Sequence, residues 1–309
     1  MLQFHASGFK QSVSGMQIFG ITSQELFGQL LLGLINGSFY AVLSLGLAVI
    51  FGLLNVINFA HGALYMLGAF LALIGLTQFG VSYWVALLAV PALLALLGVL
   101  IERLMLRHLY KLDHLYGLLL TFGLALIAEG TMRYFFGISG ESYSVPEELA
   151  GGINLGFMFM PLYRGWVVVA ALTVCFGTWY VIERTSLGAT LRAATERPQL
   201  VQALGINVPV LVTATYAGGV ALAGFAGVLA APVVQVNPLM GSNLIIVVFA
   251  VVVIGGMGSI LGAIVTGLGL GLIEGLTKVV YPEASGVVIF IVMIAVLLVR
   301  PAGLFGKQA

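Results

Sequence analysis

Apolar stretches recur along the whole chain, and polar residues gather at their ends. A membrane-crossing helix needs roughly 20 apolar residues at 1.5 Å of rise each. Nine runs meet or approach that length: about 26–54, 62–79, 83–101, 115–135, 164–182, 210–232, 243–257, 260–281 and 286–299. The pattern predicts an all-α fold, a polytopic transmembrane helical bundle of about eight or nine spans. The first run exceeds one upright crossing, so it must tilt, kink or run past the interface. Two places show the same interrupted texture, NVINFAHG at Asn55–Gly62 and GGMGS at Gly255–Ser259. Corresponding interruptions in two halves point to a transport pathway, because backbone freed at a break needs protein or water around it. Short cytoplasmic turns are the other reading of both.

Charge orients these elements. Lys and Arg in short loops mark the cytoplasmic side. Loop 102–114 holds Arg103, Arg107 and Lys111, segment 183–209 holds Arg184, Arg192 and Arg197, and Arg300 and Lys307 follow the last run. The longest connection, 136–163, carries Glu141, Glu147 and Glu148 with no Lys or Arg, which predicts an outer location. These assignments alternate consistently. They put the amino terminus outside for nine full crossings and inside if one segment is re-entrant. The predicted organisation is an N-terminal tail 1–25, a transmembrane domain 26–303 that contains the cytoplasmic segment 183–209, and a C-terminal tail 304–309. The first 24 residues lack the apolar core and small-residue cleavage site of a removed signal peptide, and Met16 is an alternative start.

Composition supports the membrane reading: 61% of residues are hydrophobic and 7% charged, against about 25% charged in an average soluble domain. Twelve scattered basic residues and a net charge of +1 make no nucleic-acid footprint. Cys175 stands alone and forms no intrachain disulfide. The chain has no GxxxxGK[ST] phosphate loop and no HExxH, and His5, His61, His108 and His114 lack ligand spacing. No catalytic set, metal site or bound cofactor is expected. No span carries the chain of acidic and His residues of a proton relay, or the acidic ring of a cation filter. A stand-alone ion-driven secondary transporter is therefore a weaker alternative.

Polar residues inside spans are the candidates for a translocation path. Asn55, Asn58 and His61 recur at spacings of three, and Asn36 and Ser38 extend the line on the preceding run. Gln235 and Asn237 form an uncharged patch beyond the sixth span. Each either meets a polar solute or hydrogen-bonds a neighbouring helix. Glu129 and Arg133, and likewise Glu274 and Lys278, are four apart with the acid first, the favourable order for a helical ion pair. They neutralise each other near the outer ends of their helices or help receive a partner there. Gly33 and Gly37, and Gly267, Gly271 and Gly275, give small-residue faces for internal packing or for a neighbouring subunit.

Segment 183–209, reading ERTSLGATLRAATERPQLVQALGINVP, is the charged island of the chain. Pro198 separates two short helices, Gly205 can end the second in a left-handed conformation, and Arg192 can pair with Glu196. GATLRAATERPQLVQALGI resembles the cytoplasmic coupling element of bacterial ABC-importer permeases. With NGSFYAVLSLGLAVIFGLLNVINFAHGALYMLGAF and GGMGSILGAIVTG, the chain resembles the branched-chain amino acid permease family of the LivH type over about 26–303. The resemblance implies a membrane subunit of an ATP-driven importer in the bacterial cytoplasmic (inner) membrane. Its implied partners are a second, related permease subunit in a heterodimer, two cytosolic ABC ATPases and a periplasmic substrate-binding protein. ATP and Mg would be bound in the ATPases. The ATPase-coupling role falls on Gly188, Ala189, Arg192, Ala193, Ala194, Glu196 and Gly205. Related permeases also handle urea, short amides or aromatic acids, so these cargoes stay open beside branched-chain amino acids.

Overall fold

The computed structural model describes residues 22–54, 56–110, 112–156 and 158–306. It is built almost wholly of helices, the secondary structure that satisfies its own backbone in lipid. In chain order these are α1 (Ser23–Leu54), α2 (Ala60–Phe79), α3 (Tyr83–Leu109), α4 (His114–Phe136), α5 (Leu162–Arg184), α6 (Ser186–Glu196), α7 (Pro198–Ala203), α8 (Val208–Ala230), α9 (Met240–Gly255), α10 (Ile260–Val280) and α11 (Val288–Val299). Among the described residues, seven helices are long and apolar enough to cross a membrane, and α9 and α11 are shorter. The protein is a multi-pass membrane bundle.

Local chemistry sets the ends. Asp113, Asn207 and Ser259 cap α4, α8 and α10 by accepting from the N–H groups of Leu115, Val210 and Gly262. Gly80 closes α2 in the left-handed conformation. The outer connection contains a small antiparallel hairpin, β1 (Gly152–Asn154) with β2 (Phe159–Pro161), which the alternation of spans did not predict.

The long first run is one unbroken helix of 32 residues. It stays apolar throughout because it is the central post, packed most extensively on α10 and also on α8. The seam with α10 is made by the two glycine series. A Cβ on Gly271 would collide with the backbone of Gly33 and Gly37, and one on Gly33 would collide with Gly271. These small-residue faces therefore serve internal packing.

α1 also resolves which end faces which side. Gly28 lies beside Met158 of the outer connection, while Leu53 O accepts from Thr195 of the basic segment at 3.0 Å. So α1 starts on the side of the acidic connection 136–163 and ends on the side of the basic segment, and the described helices alternate from there. At the inner end, Leu304 N and Phe305 N donate to Ile254 O and Gly255 O at 2.8 and 3.1 Å, which ties residues 304–306 to the end of α9. Residues 1–21 and 307–309 lie outside the described residues.

The expected pair of interruptions needs one correction. The first break is real, and the helix resumes at Ala60. Gly255–Ser259 is instead a turn joining α9 to α10 at the inner end of the bundle, where Met257 and Ser259 share a cavity with Arg192 and Phe305. The matching interruption lies at 231–239. There the chain leaves α8, pairs Val236 with Glu141 of the outer connection, and dips back before α9 begins at Met240. The starts of α2 and α9 cross with Gly62 and Gly241 backbone against backbone, too close for any Cβ. Gly62 is 17 residues from the outer end of α2, roughly 25 Å at 1.5 Å per residue. Sequence texture misplaced this break: Pro232, Gln235, Asn237 and Pro238 marked 231–239 as a polar connection, while the glycines of Gly255–Ser259 looked more like an interruption.

Candidate functional site

The water-facing segment 183–209 folds as two short helices, α6 and α7, broken before Pro198. Pro198 occupies the first turn of α7, where its missing N–H costs nothing. The chain turns from α5 into α6 so tightly that a Cβ on Gly188 would collide with Ile182 O. α7 ends in a Schellman motif: Gly205 N donates to Gln202 O at 2.9 Å, Ile206 N to Val201 O at 3.3 Å, and Gly205 takes φ +83°.

The inner face of this unit is packed. Ala194, Val201 and Val208 are buried with Ile206, Leu211 and Val212 around them. Arg192 donates from Nη1 to Ile182 O at 2.7 Å and approaches Glu183 Oε2 at 3.4 Å. Its carboxylate partner is therefore Glu183 and not the predicted Glu196. The guanidinium is drawn back to cap the end of α5, while Glu196 lies exposed one turn further on. Thr195 joins the unit to α1 through Leu53 O. Ala189, Ala193 and Gly205 are exposed, and Glu196 is exposed toward the cavity behind the unit. Leu200 and Leu204 are exposed too, at 59% and 74%. The sequence reading passed over these two leucines; exposed leucines on a helix outside the membrane were the available signal. Apolar side chains on a water-facing helix mark a surface meant to be covered. Behind the unit, a cavity of about 550 Å³ is lined by Gly52, Glu183, Arg192, Glu196, Met257 and Phe305.

At membrane depth the first break is held by side chains. Thr121 Oγ accepts from Phe59 N at 3.1 Å and lies 3.3 Å from Ile57 O, taking up backbone groups that the break exposes. Asn58 Nδ2 donates to the Tyr216 hydroxyl at 3.3 Å, and His61 Nε2 donates to Leu43 O at 3.0 Å. Both side chains are fully buried, facing α8 and α1. Asn58 Oδ1 and His61 Nδ1 have no hydrogen-bond partner among the described residues. Asn55, placed with them from sequence, lies outside the described residues.

The rest of the candidate path is dispersed. Ser38 bonds back to Leu34 O at 2.9 Å within α1, and Asn36 is half-buried on the same helix. Gln235 packs on Gly140, and Asn237 shapes 231–239 by donating to Gln235 O at 3.1 Å and accepting from Leu239 N at 3.0 Å.

Both predicted ion pairs form. Arg133 Nη2 donates to Glu129 Oε1 at 2.7 Å, and Lys278 Nζ to Glu274 Oε1 at 2.6 Å. Tyr40 adds a hydrogen bond to Glu274 Oε2 at 2.7 Å, fastening α1 to α10. Glu129 also lines a crevice of about 70 Å³ between α2, α4 and α9, with Phe59, Met66, Phe122, Leu126 and Ile245 as its apolar walls.

One buried charge was missed. Glu102 was read as the first residue of a basic loop, yet α3 continues past it through a π-turn and leaves it 2% exposed. Its carboxylate accepts from Thr213 at 2.7 Å and from Tyr110 at 3.2 Å. Burial, and behind it the Glu102 carboxylate, hold the Tyr110 phenol well above its ordinary value. The signal was present: Leu94, Gly98, Glu102 and Leu106, four apart, are all buried on α3.

Comparison with known proteins bears on the whole chain. The family model described as branched-chain amino acid transport system, permease component, matches residues 29–297. The high-affinity branched-chain amino acid transport system permease protein BraD of Pseudomonas aeruginosa is 32% identical over 294 residues, 90% of this chain and 95% of the relative. LivH of Escherichia coli K12 is 28% identical over 299 residues, 92% and 95% of the two chains. A probable LivH of Methanocaldococcus jannaschii is 29% identical over 290 residues, 88% and 90%. No solved structure matches significantly.

Proposed function

The chain belongs to the branched-chain amino acid transport permease family, and we propose that it is the membrane-spanning subunit of an ATP-binding-cassette importer that moves branched-chain or closely similar amino acids into the cell. It would reside in the bacterial cytoplasmic membrane and pair with a second, related permease. Two cytosolic ATPases would carry the ATP and Mg, and a periplasmic binding protein would deliver the cargo. The relatives named above, each a branched-chain amino acid permease over nearly its whole length, support the cargo class.

The observation that carries the reading is the two-helix unit 186–203. It is braced from behind by Arg192 and Thr195 and leaves Ala189, Ala193 and Leu200 exposed, with Leu204 exposed just past its end. A chain without a phosphate loop needs an outside source of energy, and this surface is where an ATPase would seat. Displacement there reaches α1 through the Thr195–Leu53 contact and α8 through the packed Ala194–Val201–Val208 cluster. That placement supports a coupling role for Gly188, Ala189, Arg192, Ala193, Ala194, Glu196 and Gly205. Gly188 and Gly205 set the turns, Ala194 packs inward, and the others contact or position.

The experiment is ATP-driven uptake by the assembled complex in proteoliposomes. Arg192→Ala and Ala193→Asp should each lower uptake about tenfold or more, as loss of a contact worth about 1.4 kcal/mol would, while membrane insertion stays normal. Wild-type uptake in both variants would remove the docking assignment. Uptake by the chain alone, driven by a proton gradient, would remove the importer reading.

A further inference from the structure

Two acidic residues on the outer halves of membrane helices form similar ion pairs, and their second oxygens differ. Glu274 uses both: Oε1 accepts from Lys278 and Oε2 from Tyr40. Glu129 uses one. Oε1 accepts from Arg133, and no hydrogen bond from the described residues reaches Oε2. An ionised carboxylate has capacity for several donors, and an acidic side chain within a membrane span is a functional-site candidate by default.

The surroundings of Glu129 separate it further from a simple surface pair. Its helix, α4, is almost wholly uncovered, with only Gly117 and Thr121 buried. Glu129 nonetheless sits over the crevice where α2 and α9 begin, walled by Phe59, Met66, Phe122, Leu126 and Ile245. Above it, segment 231–239 leads down from the outer connection through Gln235 and Asn237 to Pro238, at the crevice edge. A carboxylate with an oxygen unused by the described residues, at the lip of a small apolar recess open on one side, suits a cation attached to a short aliphatic group.

We infer that Glu129 holds the α-ammonium of the cargo amino acid during passage. Arg133, one turn outward, receives the cargo carboxylate, and the aliphatic side chain enters the crevice beneath. This rests on the amino-acid cargo proposed above. A zwitterion presents both charges to a pair that already holds complementary charges 2.7 Å apart. It exchanges one charge-assisted contact for two, so neither charge has to be stripped bare to enter the membrane. The recess of about 70 Å³ takes part of a branched side chain, and the rest of the solute lies on the open face of α4, where a neighbouring subunit would close it.

The test uses the assembled complex with its binding protein in proteoliposomes and radiolabelled leucine as the probe. Glu129→Gln should cut ATP-driven leucine uptake about tenfold or more, while hydrolysis stimulated by the loaded binding protein persists. The second variant exchanges the pair, Glu129→Arg with Arg133→Glu. It keeps mutual neutralisation and net charge but moves the carboxylate out of the crevice, and it should show the same loss with hydrolysis retained. Wild-type uptake by the exchanged variant would overturn the inference in favour of neutralisation alone. Parallel loss of uptake and stimulated hydrolysis in both variants would overturn it in favour of a structural role. A wild-type complex that carries a neutral amide and no leucine would remove the cargo reading, and the ammonium site with it.

Discussion

Glu102 shows how a single residue can be plain in a sequence and still be misread. A charge at the end of an apolar run looks like the beginning of a loop. The π-turn in α3, in which Arg107 N reaches back to Glu102 O, keeps the helix going and turns the carboxylate inward. Once buried, it is held by hydroxyls rather than by a cation: Thr213 on α8 and Tyr110 beyond the end of α3. Removing a donor from a buried carboxylate leaves part of its desolvation uncompensated. Thr213→Val should therefore destabilise the protein by about 1.5–3 kcal/mol, the range for hydrogen bonds to charged groups, read as a lower melting temperature in detergent. Thr213→Ser keeps the donor and should melt near wild type. Equal melting of the Val and Ser variants would show that Glu102 does not depend on this bond. The neighbouring break follows the same logic. Sequence showed that Asn58 and His61 are polar and helically spaced, but not that Thr121, 60 or more residues away, takes the loose backbone of Phe59. Long-range satisfaction of a freed N–H has no local sequence signature.

At the scale of elements, helix positions and the two helices on either side of Pro198 were legible because apolar run length and proline chemistry are local. Which helix meets which was not. The glycine series on α1 and α10 were visible as small-residue faces, but spacing alone cannot say whether such a face meets its own chain or another. The contact itself decides: Gly271 lies on Gly33 and Gly37, whereas nothing lies within 4 Å of a Cβ placed on Gly269, two residues earlier. Opposite outcomes are expected from the same substitution. Gly271→Ala forces backbones apart and should cost about 1–3 kcal/mol, the usual price of overpacking. Gly269→Ala should be neutral or stabilise by up to about 1 kcal/mol, since alanine favours a helix over glycine. Melting temperatures of the two variants, measured side by side, provide the check. Comparable losses at both sites would mean that helix propensity or lipid contact, rather than the α1–α10 seam, governs α10. The two-helix unit divides in the same way: its breaks were readable, while the pairing of Arg192 with Glu183 depended on how α6 folds back against α5.

For the whole molecule, the open question from sequence was the side on which the first helix starts, since positive charge orients loops but cannot count crossings. Two contacts answer it: Gly28 beside Met158, and Leu53 bonded to Thr195. One end of α1 therefore belongs to the acidic outer connection and the other to the basic segment. The 48 Å that 32 helical residues span at about 1.5 Å each is long enough to join the two faces. The proposed function asks for the same polarity, because a path that would receive cargo between 231–239 and Glu129 would have to end near the unit proposed to meet the ATPases. Labelling with a membrane-impermeant maleimide tests this arrangement with little background, since Cys175 is buried. Gln24→Cys and Glu148→Cys, both at exposed positions, should react in intact spheroplasts, and His108→Cys, exposed at the basic end of α3, only after permeabilisation. If Gln24→Cys is protected while Glu148→Cys reacts, α1 starts inside and the alternation fails at its first step. If His108→Cys reacts from outside, the positive-charge orientation is reversed, and the two-helix unit could not reach an ATPase that draws on cytosolic ATP.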